Sequence, residues 1–297
     1  MLSTPASAMA VSVRHAGAGR PHEYMNTRYF VLAFALCVVS SGGATAAGSA
    51  VFVSVPKSSV RLETFVYQPP GDGKFPVVIF NHGSAGGNPK ISLPSQPIAD
   101  YFVQRGFIVV VPMRRGRGQS SGVSPESETK NCDPASWEPG IWLSFDDLSA
   151  VFEYIAHIPK AKPSSVILAG ASRGGFLSVA YAARGEYRKN IIGVINFVGG
   201  WVAQAEDKCA IDFNYVSFAK FGAKTRIPML WLYGSHDAFY DAESIESYHK
   251  VFAAKGGDVS FQLIDGVPQN GHWLPGYPDL WSKSVDPFIA SLRANVQ

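Results

Sequence analysis

Three residues far apart in the chain have the types needed for nucleophilic catalysis: Ser172, Asp237 and His272. A serine hydroxyl is a poor nucleophile near neutral pH until a base takes its proton during attack. Histidine suits that task, and an aspartate behind it fixes the ring and stabilises the imidazolium. Ser172 sits in Gly170-Ala171-Ser172-Arg173-Gly174, directly behind the apolar run Val166-Ile167-Leu168-Ala169 and ahead of a helix-like stretch from Phe176 to Ala183. A strand, a sharp glycine-flanked turn and a helix together lift one hydroxyl to the top of a sheet. G-x-S-x-G arises often by chance. The flanking elements separate this occurrence from an ordinary glycine turn.

The remaining groups follow in order. Pro228 to Tyr233 reads as a short buried strand and ends in Gly234-Ser235-His236-Asp237. Val259 to Ile264 alternates like a strand, and the loop from Asp265 to Gly271 delivers His272. Asp241 and Glu243 rival Asp237 as the acid, but they open the next predicted helix, where acidic residues suit the N-terminus. Asp265 is a further rival. Of the other histidines, His157 and His249 fall in predicted helices, His15 and His22 in the N-terminal segment, and His236 beside the proposed acid. A developing oxyanion needs backbone N–H donors already in place. Arg173, after the nucleophile, supplies one, and Gly83 or Ser84, after the strand Val77–Phe80, supplies the other. His82 is read as a buttress of that loop. The stretch Gly83 to Gly87 lacks a Gly-Lys-Ser/Thr ending, which argues against nucleotide binding.

Asn81-His82-Gly83-Ser84, Arg115-Gly116-Arg117-Gly118-Gln119-Ser120, Gly170 to Gly174, Tyr233 to Asp237 and Gly271-His272 occur in that order. On these fragments the chain resembles the α/β-hydrolases, and among them the dienelactone-hydrolase-like group of esterases and peptidases, from about residue 60 to the C-terminus. The resemblance implies an α/β fold, a mostly parallel central sheet with helices on both faces. Named dienelactone hydrolases use a cysteine where this chain has Ser172, so the family name does not carry the reaction. Arg114 to Arg117 has two readings. It binds a substrate carboxylate, or it ties its loop to Asp146 or Asp147. In similar hydrolases such an arginine–carboxylate pair is structural.

The elements that must position these groups fit a chain of 297 residues, 46% hydrophobic and 16% charged, long enough for one large α/β core. A formal net charge of only +3 gives no broad attraction to nucleic acid. Val51–Val55 and Val60–Tyr67 read as an antiparallel entry to the sheet. Phe107–Val111 and Ile191–Phe197 read as buried strands. Pro97–Arg105, Leu143–Ile158, Asp241–Ala254 and Leu280–Ala294 read as helices. Residues 131–140 look irregular. Residues 200–226 read as a long connection, and two expectations stand open for it. Trp201, Phe213, Tyr215 and Phe218 cover the site and grip an acyl or aryl group, or they pack on the sheet.

Residues 1–46 are expected to be an N-terminal extension and signal peptide, and 47–297 the hydrolase domain. The apolar stretch Tyr29–Val39 is too short to span roughly 30 Å of hydrocarbon, and Ala44-Thr45-Ala46 fits a cleavage site. Translation from Met25 would make residues 1–24 an upstream extension. Cleavage removes Arg14, Arg20, Arg28 and Glu23, bringing the charge closer to zero. It leaves Cys132 and Cys209 for an oxidising compartment, as a disulfide or as two separate buried thiols. The expected protein is a secreted or periplasmic serine hydrolase acting on a small-molecule carboxylic ester. It has no membrane anchor after cleavage, no metal-ligand spacing and no cofactor. A peptidase or amidase with the same triad, and a non-catalytic binding protein on this fold, are the alternatives.

Overall fold

The computed structural model describes residues 45–84, 88–124, 126, 136–203 and 210–294. The expected signal segment, and both Cys132 and Cys209, lie outside these residues. Eight strands form one sheet: β1 (Gly48–Ser54), β2 (Arg61–Tyr67), β3 (Phe75–Asn81), β4 (Ile108–Pro112), β5 (Ala161–Ala171), β6 (Ile191–Phe197), β7 (Met229–Gly234) and β8 (Val259–Ile264). Their order across the sheet is β1-β2-β4-β3-β5-β6-β7-β8. β2 pairs antiparallel with β1 and β4, and every other pairing is parallel. Consecutive residues such as Val77-Val78-Ile79, Ile108–Val111 and Val166–Ala169 are all fully buried. Both faces of the central sheet are therefore covered, which explains why these strands read as continuous apolar runs without alternation.

Helices α1 (Gln96–Val103), α2 (Glu138–Ala156), α3 (Arg173–Arg184), α4 (Ala210–Gly222), α5 (Ala242–Ala254) and α6 (Pro278–Ala294) supply that cover. α2 begins at Glu138, earlier than its apolar spacing suggests, because Pro139 falls in the first turn where a missing N–H is harmless. Asp241 caps α5, its carboxylate accepting the Ser244 N–H at 2.7 Å.

The 200–226 connection holds a helix that sequence reading missed. In α4, Phe213, Ser217, Phe218 and Phe221 are buried and Tyr215 and Val216 are exposed, the spacing of a helix with one inward face. Phe218 is fully enclosed, its ring 4.7 Å from Trp231 and 5.2 Å from Phe176. Trp201 is also buried, 5.7 Å from Phe176. Both rings are core, which corrects the expectation that they grip a ligand. Tyr215 is exposed on the opposite face of α4 and is not among the residues lining the cavity beside Ser172. Residues 204–209 of this connection lie outside the described residues.

Phe218→Ala should therefore lower stability by about 3–5 kcal/mol, the usual cost of deleting a buried aromatic ring. Urea unfolding measures it. A shift in acyl-chain preference with little loss of stability would contradict the packing.

Candidate active site

Parallel strands deliver their C-terminal ends to one edge of the sheet, and β3, β5, β7 and β8 each end in a loop bearing site residues. β5 passes into α3 through Ser172, whose φ of 53° and ψ of −123° lie outside the regions ordinary residues favour. The Ser172 N–H donates to the Phe197 carbonyl at 2.9 Å, and its carbonyl accepts the Phe176 N–H at 3.0 Å and the Gly200 N–H at 3.3 Å. The turn is possible because its glycines let backbones touch. A Cβ on Gly174 would strike the Asn81 and His82 carbonyls, and one on Gly170 would strike the Gly174 backbone.

β7 ends in the turn carrying Asp237. Its carboxylate is completely buried and accepts backbone N–H bonds from Phe239 at 2.8 Å and Tyr240 at 3.2 Å. The other carboxylate oxygen lies 2.8 Å from His272 Nδ1. With Nδ1–H donating to Asp237, Nε2 carries the lone pair and can act as base. His272 sits in a 3-10 turn, Gly271–Gly276, and its backbone N–H donates to Asn270 Oδ1 at 3.0 Å. The same oxygen accepts the Ala238 N–H at 3.0 Å, so Asn270 ties the acid loop to the histidine loop. Asp265 is exposed and Asp241 caps α5. The aspartate brought to His272 is Asp237.

Tyr240 completes this corner. Its ring is buried, 5.7 Å from the His272 ring. Burial raises its pKa well above the usual value for a phenol, so the hydroxyl keeps its proton. Sequence reading missed Tyr240 and Asn270. The only signals were their places, three residues after the acid and two before the histidine.

On the other side of Ser172, Gly83 passes so close that a Cβ placed on it would lie 3.3 Å from Ser172 Cβ. His82 is buried, and its Nε2 accepts the Arg114 N–H at 3.1 Å. Nδ1 is therefore the protonated nitrogen and donates to the Gly83 carbonyl at 2.6 Å. Because a trans peptide points C=O and N–H in opposite directions, pinning the Gly83 carbonyl turns the Ser84 N–H the other way. The Arg114 side chain holds the His82 carbonyl at 2.6 Å and so fixes the Gly83 N–H as well, and both donors left open by sequence are oriented. Arg173 opens α3, where the backbone N–H groups point out of the helix end.

The arginine cluster is built into ion pairs. Arg115 donates to Asp147 from Nε at 2.9 Å and from its backbone N–H at 3.0 Å. Arg114, Arg117 and Arg173 all pair with Glu126, a residue that no sequence signal distinguished. Burial alone would raise the Glu126 pKa, but the three guanidiniums outweigh it and hold the carboxyl well below its usual range. Among the described residues, no group of three or more His, Cys, Asp or Glu side chains could hold a metal ion.

A cavity of about 330 Å³ opens beside this loop. Phe80, Leu93, Pro94, Pro97, Ile98 and Pro275 give it an apolar wall, His82, Ser95 and Gln96 also line it, and Gly83 and Ala171 border it on the Ser172 side. Among the described residues, no charged side chain lines it.

Residues 62–272 match the family model described as the dienelactone hydrolase family. The chain belongs to that family. A Synechocystis protein carrying the name carboxymethylenebutenolidase is 24% identical over 262 residues, covering 81% of this chain and 96% of the relative. Among solved structures, Est1E from Butyrivibrio proteoclasticus with ferulic acid bound has a TM-score of 0.59 at 15% identity, covering 82% of this chain and 99% of that one. Pyrococcus horikoshii acylaminoacyl peptidase has a TM-score of 0.56 at 14% identity, covering 79% of this chain and 39% of that one. These likenesses bear out the α/β-hydrolase fold, and family membership makes the protein a hydrolase.

The site also sets a pH dependence of stability. Burial first, and then the Arg114 guanidinium, push the pKa of His82 from 6.5 down to about 3. Between those values the unfolded chain binds the proton and the folded chain does not. The stabilisation is therefore full above 6.5 and is lost as pH falls towards 3. From pH 7 to pH 5 this residue should remove about 2 kcal/mol. His82→Gln should flatten that part of the stability curve, read from urea midpoints at both pH values. An unchanged slope would contradict the assignment.

Proposed function

We propose that this family member is a serine hydrolase that cleaves uncharged carboxylic esters through an acyl-enzyme on Ser172. The observation that carries the reading is the 2.8 Å pair of His272 Nδ1 with the buried Asp237, on loops at the same edge of the sheet as a serine held in a strained elbow. His272 Nε2 takes the Ser172 proton as Oγ attacks the ester carbonyl. The carbonyl oxygen becomes an oxyanion and is met by the Arg173 and Ser84 N–H groups. Collapse expels the alcohol, which takes its proton from His272. Water, activated by the same nitrogen, then attacks the acyl-enzyme and releases the acid.

The cavity supports an apolar acyl or aryl group as the part of the substrate held nearest Ser172. Among the described residues its wall carries no cation to receive a carboxylate, and Arg114, Arg115 and Arg117 are committed to Glu126 and Asp147. This argues against the carboxylate-binding reading of the arginine cluster. Export, with the leader removed near Ala46, belongs to the same proposal and rests on the leader pattern.

Ser172→Ala should lower p-nitrophenyl ester turnover by at least a thousandfold with an unchanged melting temperature. Residual activity within tenfold of the parent would remove Ser172 from the mechanism.

Leu93→Trp tests the cavity. Octanoate hydrolysis should fall at least tenfold relative to acetate hydrolysis. An equal change on both esters would place the acyl chain elsewhere.

A further inference from the structure

We propose that Glu126 is a positioning residue that clamps the two sides of the oxyanion site to each other. The proposal rests on the serine-hydrolase reading above. Ser84 and Arg173, whose backbone N–H groups serve the oxyanion, come from different elements: the loop after β3 and the first residue of α3. Glu126 touches the side chains of both. Its Oε2 accepts from Ser84 Oγ at 3.1 Å, from Arg173 Nη1 at 3.2 Å and from Arg117 Nη2 at 2.7 Å. Its Oε1 accepts from Arg114 Nε at 2.7 Å.

The clamp reaches the intervening peptide through Arg114. Arg114 Nη1 donates to the His82 carbonyl at 2.6 Å, and Nη2 reaches the Gly83 carbonyl at 3.4 Å. The Gly83 carbonyl is the group whose direction sets that of the Ser84 N–H. One carboxylate, with none of its side chain exposed, therefore fixes the loop donor, the helix donor and the guanidinium between them. On the helix side, Arg173 is held a second time, its Nε donating to the Trp201 carbonyl at 2.8 Å. A neutral group in place of Glu126 would leave neighbouring guanidiniums facing one another with no countercharge, and the loop and helix free to separate.

Catalysis is sensitive to such spacing, since loss of one oxyanion donor typically costs about 10²–10³ in kcat. Ground-state binding of the ester depends on the cavity instead, so KM should barely move. Glu126→Gln should lower kcat about a hundredfold with KM within threefold of the parent. The Ki of an alkylboronic acid, which becomes tetrahedral on Ser172, should rise by a similar factor. Glu126→Asp, which restores the charge, should recover at least tenfold of the lost kcat.

A residue that only stabilised the fold would lower the amount of active protein and leave the boronate Ki alone. A folded Glu126→Gln protein with kcat and boronate Ki within twofold of the parent would overturn the clamp. Should Glu126→Gln fail to fold by circular dichroism, Ser84→Ala decides, because it cuts one arm and leaves the ion pairs. About a fivefold fall in kcat at an unchanged melting temperature supports the clamp, and parental kcat refutes it. Fluorophosphonate labelling of the parent separates the two levels of argument. An unlabelled Ser172 would end the serine reading and the clamp with it. A labelled parent with an unaffected Glu126→Gln variant would end the clamp alone.

Discussion

The backbone at Ser172 is held at positive φ, and most of the site's geometry follows from what keeps it there. A non-glycine residue in such a region is strained by roughly 1–3 kcal/mol and relaxes unless its surroundings forbid it. Here the prohibition is steric and lies behind the serine. Gly170 and Gly174 bring β5 and α3 into backbone contact with each other and with the end of β3. α3 cannot draw back, because Phe176, Leu177, Val179, Ala180 and Tyr181 are all fully buried. Each of the larger apolar side chains contributes about 1.5–3 kcal/mol, so the helix outweighs the strain several times over. α4 belongs to this support. Its aromatic face closes over Phe176 and presses α3 onto the sheet.

Two different devices then position the groups around the serine. On the histidine side, backbone N–H groups converge on Asp237, and Asn270 Oδ1 accepts the Ala238 and His272 N–H groups. The bonds are short in reach and local to two loops. On the oxyanion side, the loop after β3 has no strand partner to hold it, and a buried ion cluster does so. Buried ion pairs give little net stability, because desolvation cancels much of the attraction. Their value here is directional, since each guanidinium has a fixed fork of donors and Glu126 offers few ways to satisfy all of them. His82 fits the same scheme by staying neutral. A charged ring there would face Arg114 and could not accept its N–H.

How much of this could be read from sequence follows from the range of each interaction. β6 and β8 were legible to the residue, and the nucleophile turn stood out, because strand runs and glycine pairs are local patterns. Asp237 was separable from Asp241 because capping is also local. α4 was hidden, since its aromatic residues suit a ligand wall as well as a core, and only the packing of Phe176 and Trp231 decides between them. Glu126 was invisible for a stronger reason. Its meaning lies in Ser84 and Arg173, each more than forty residues away along the chain. The apolar cavity was missed likewise, being assembled from residues 93–98 and 275–276, which carry no motif.

The separation of these devices bears on how such a site changes. The ion cluster and the elbow share residues, so an alteration in one disturbs the other. Arg173 is at once the first residue of α3, the proposed oxyanion donor and a partner of Glu126. The cavity wall meets them at His82, Gly83 and Ala171, and its remaining residues lie elsewhere. Leu93 and Pro94 precede α1 and Pro97 lies in its first turn, while Pro275 and Gly276 close the turn that carries His272. Substitutions there alter size and shape in a place where volume changes are felt directly and charge is absent. On the proposed reading, a cleft divided in this way can exchange one apolar acyl group for another while the elbow, the acid–histidine pair and the proposed oxyanion donors stay where the core holds them.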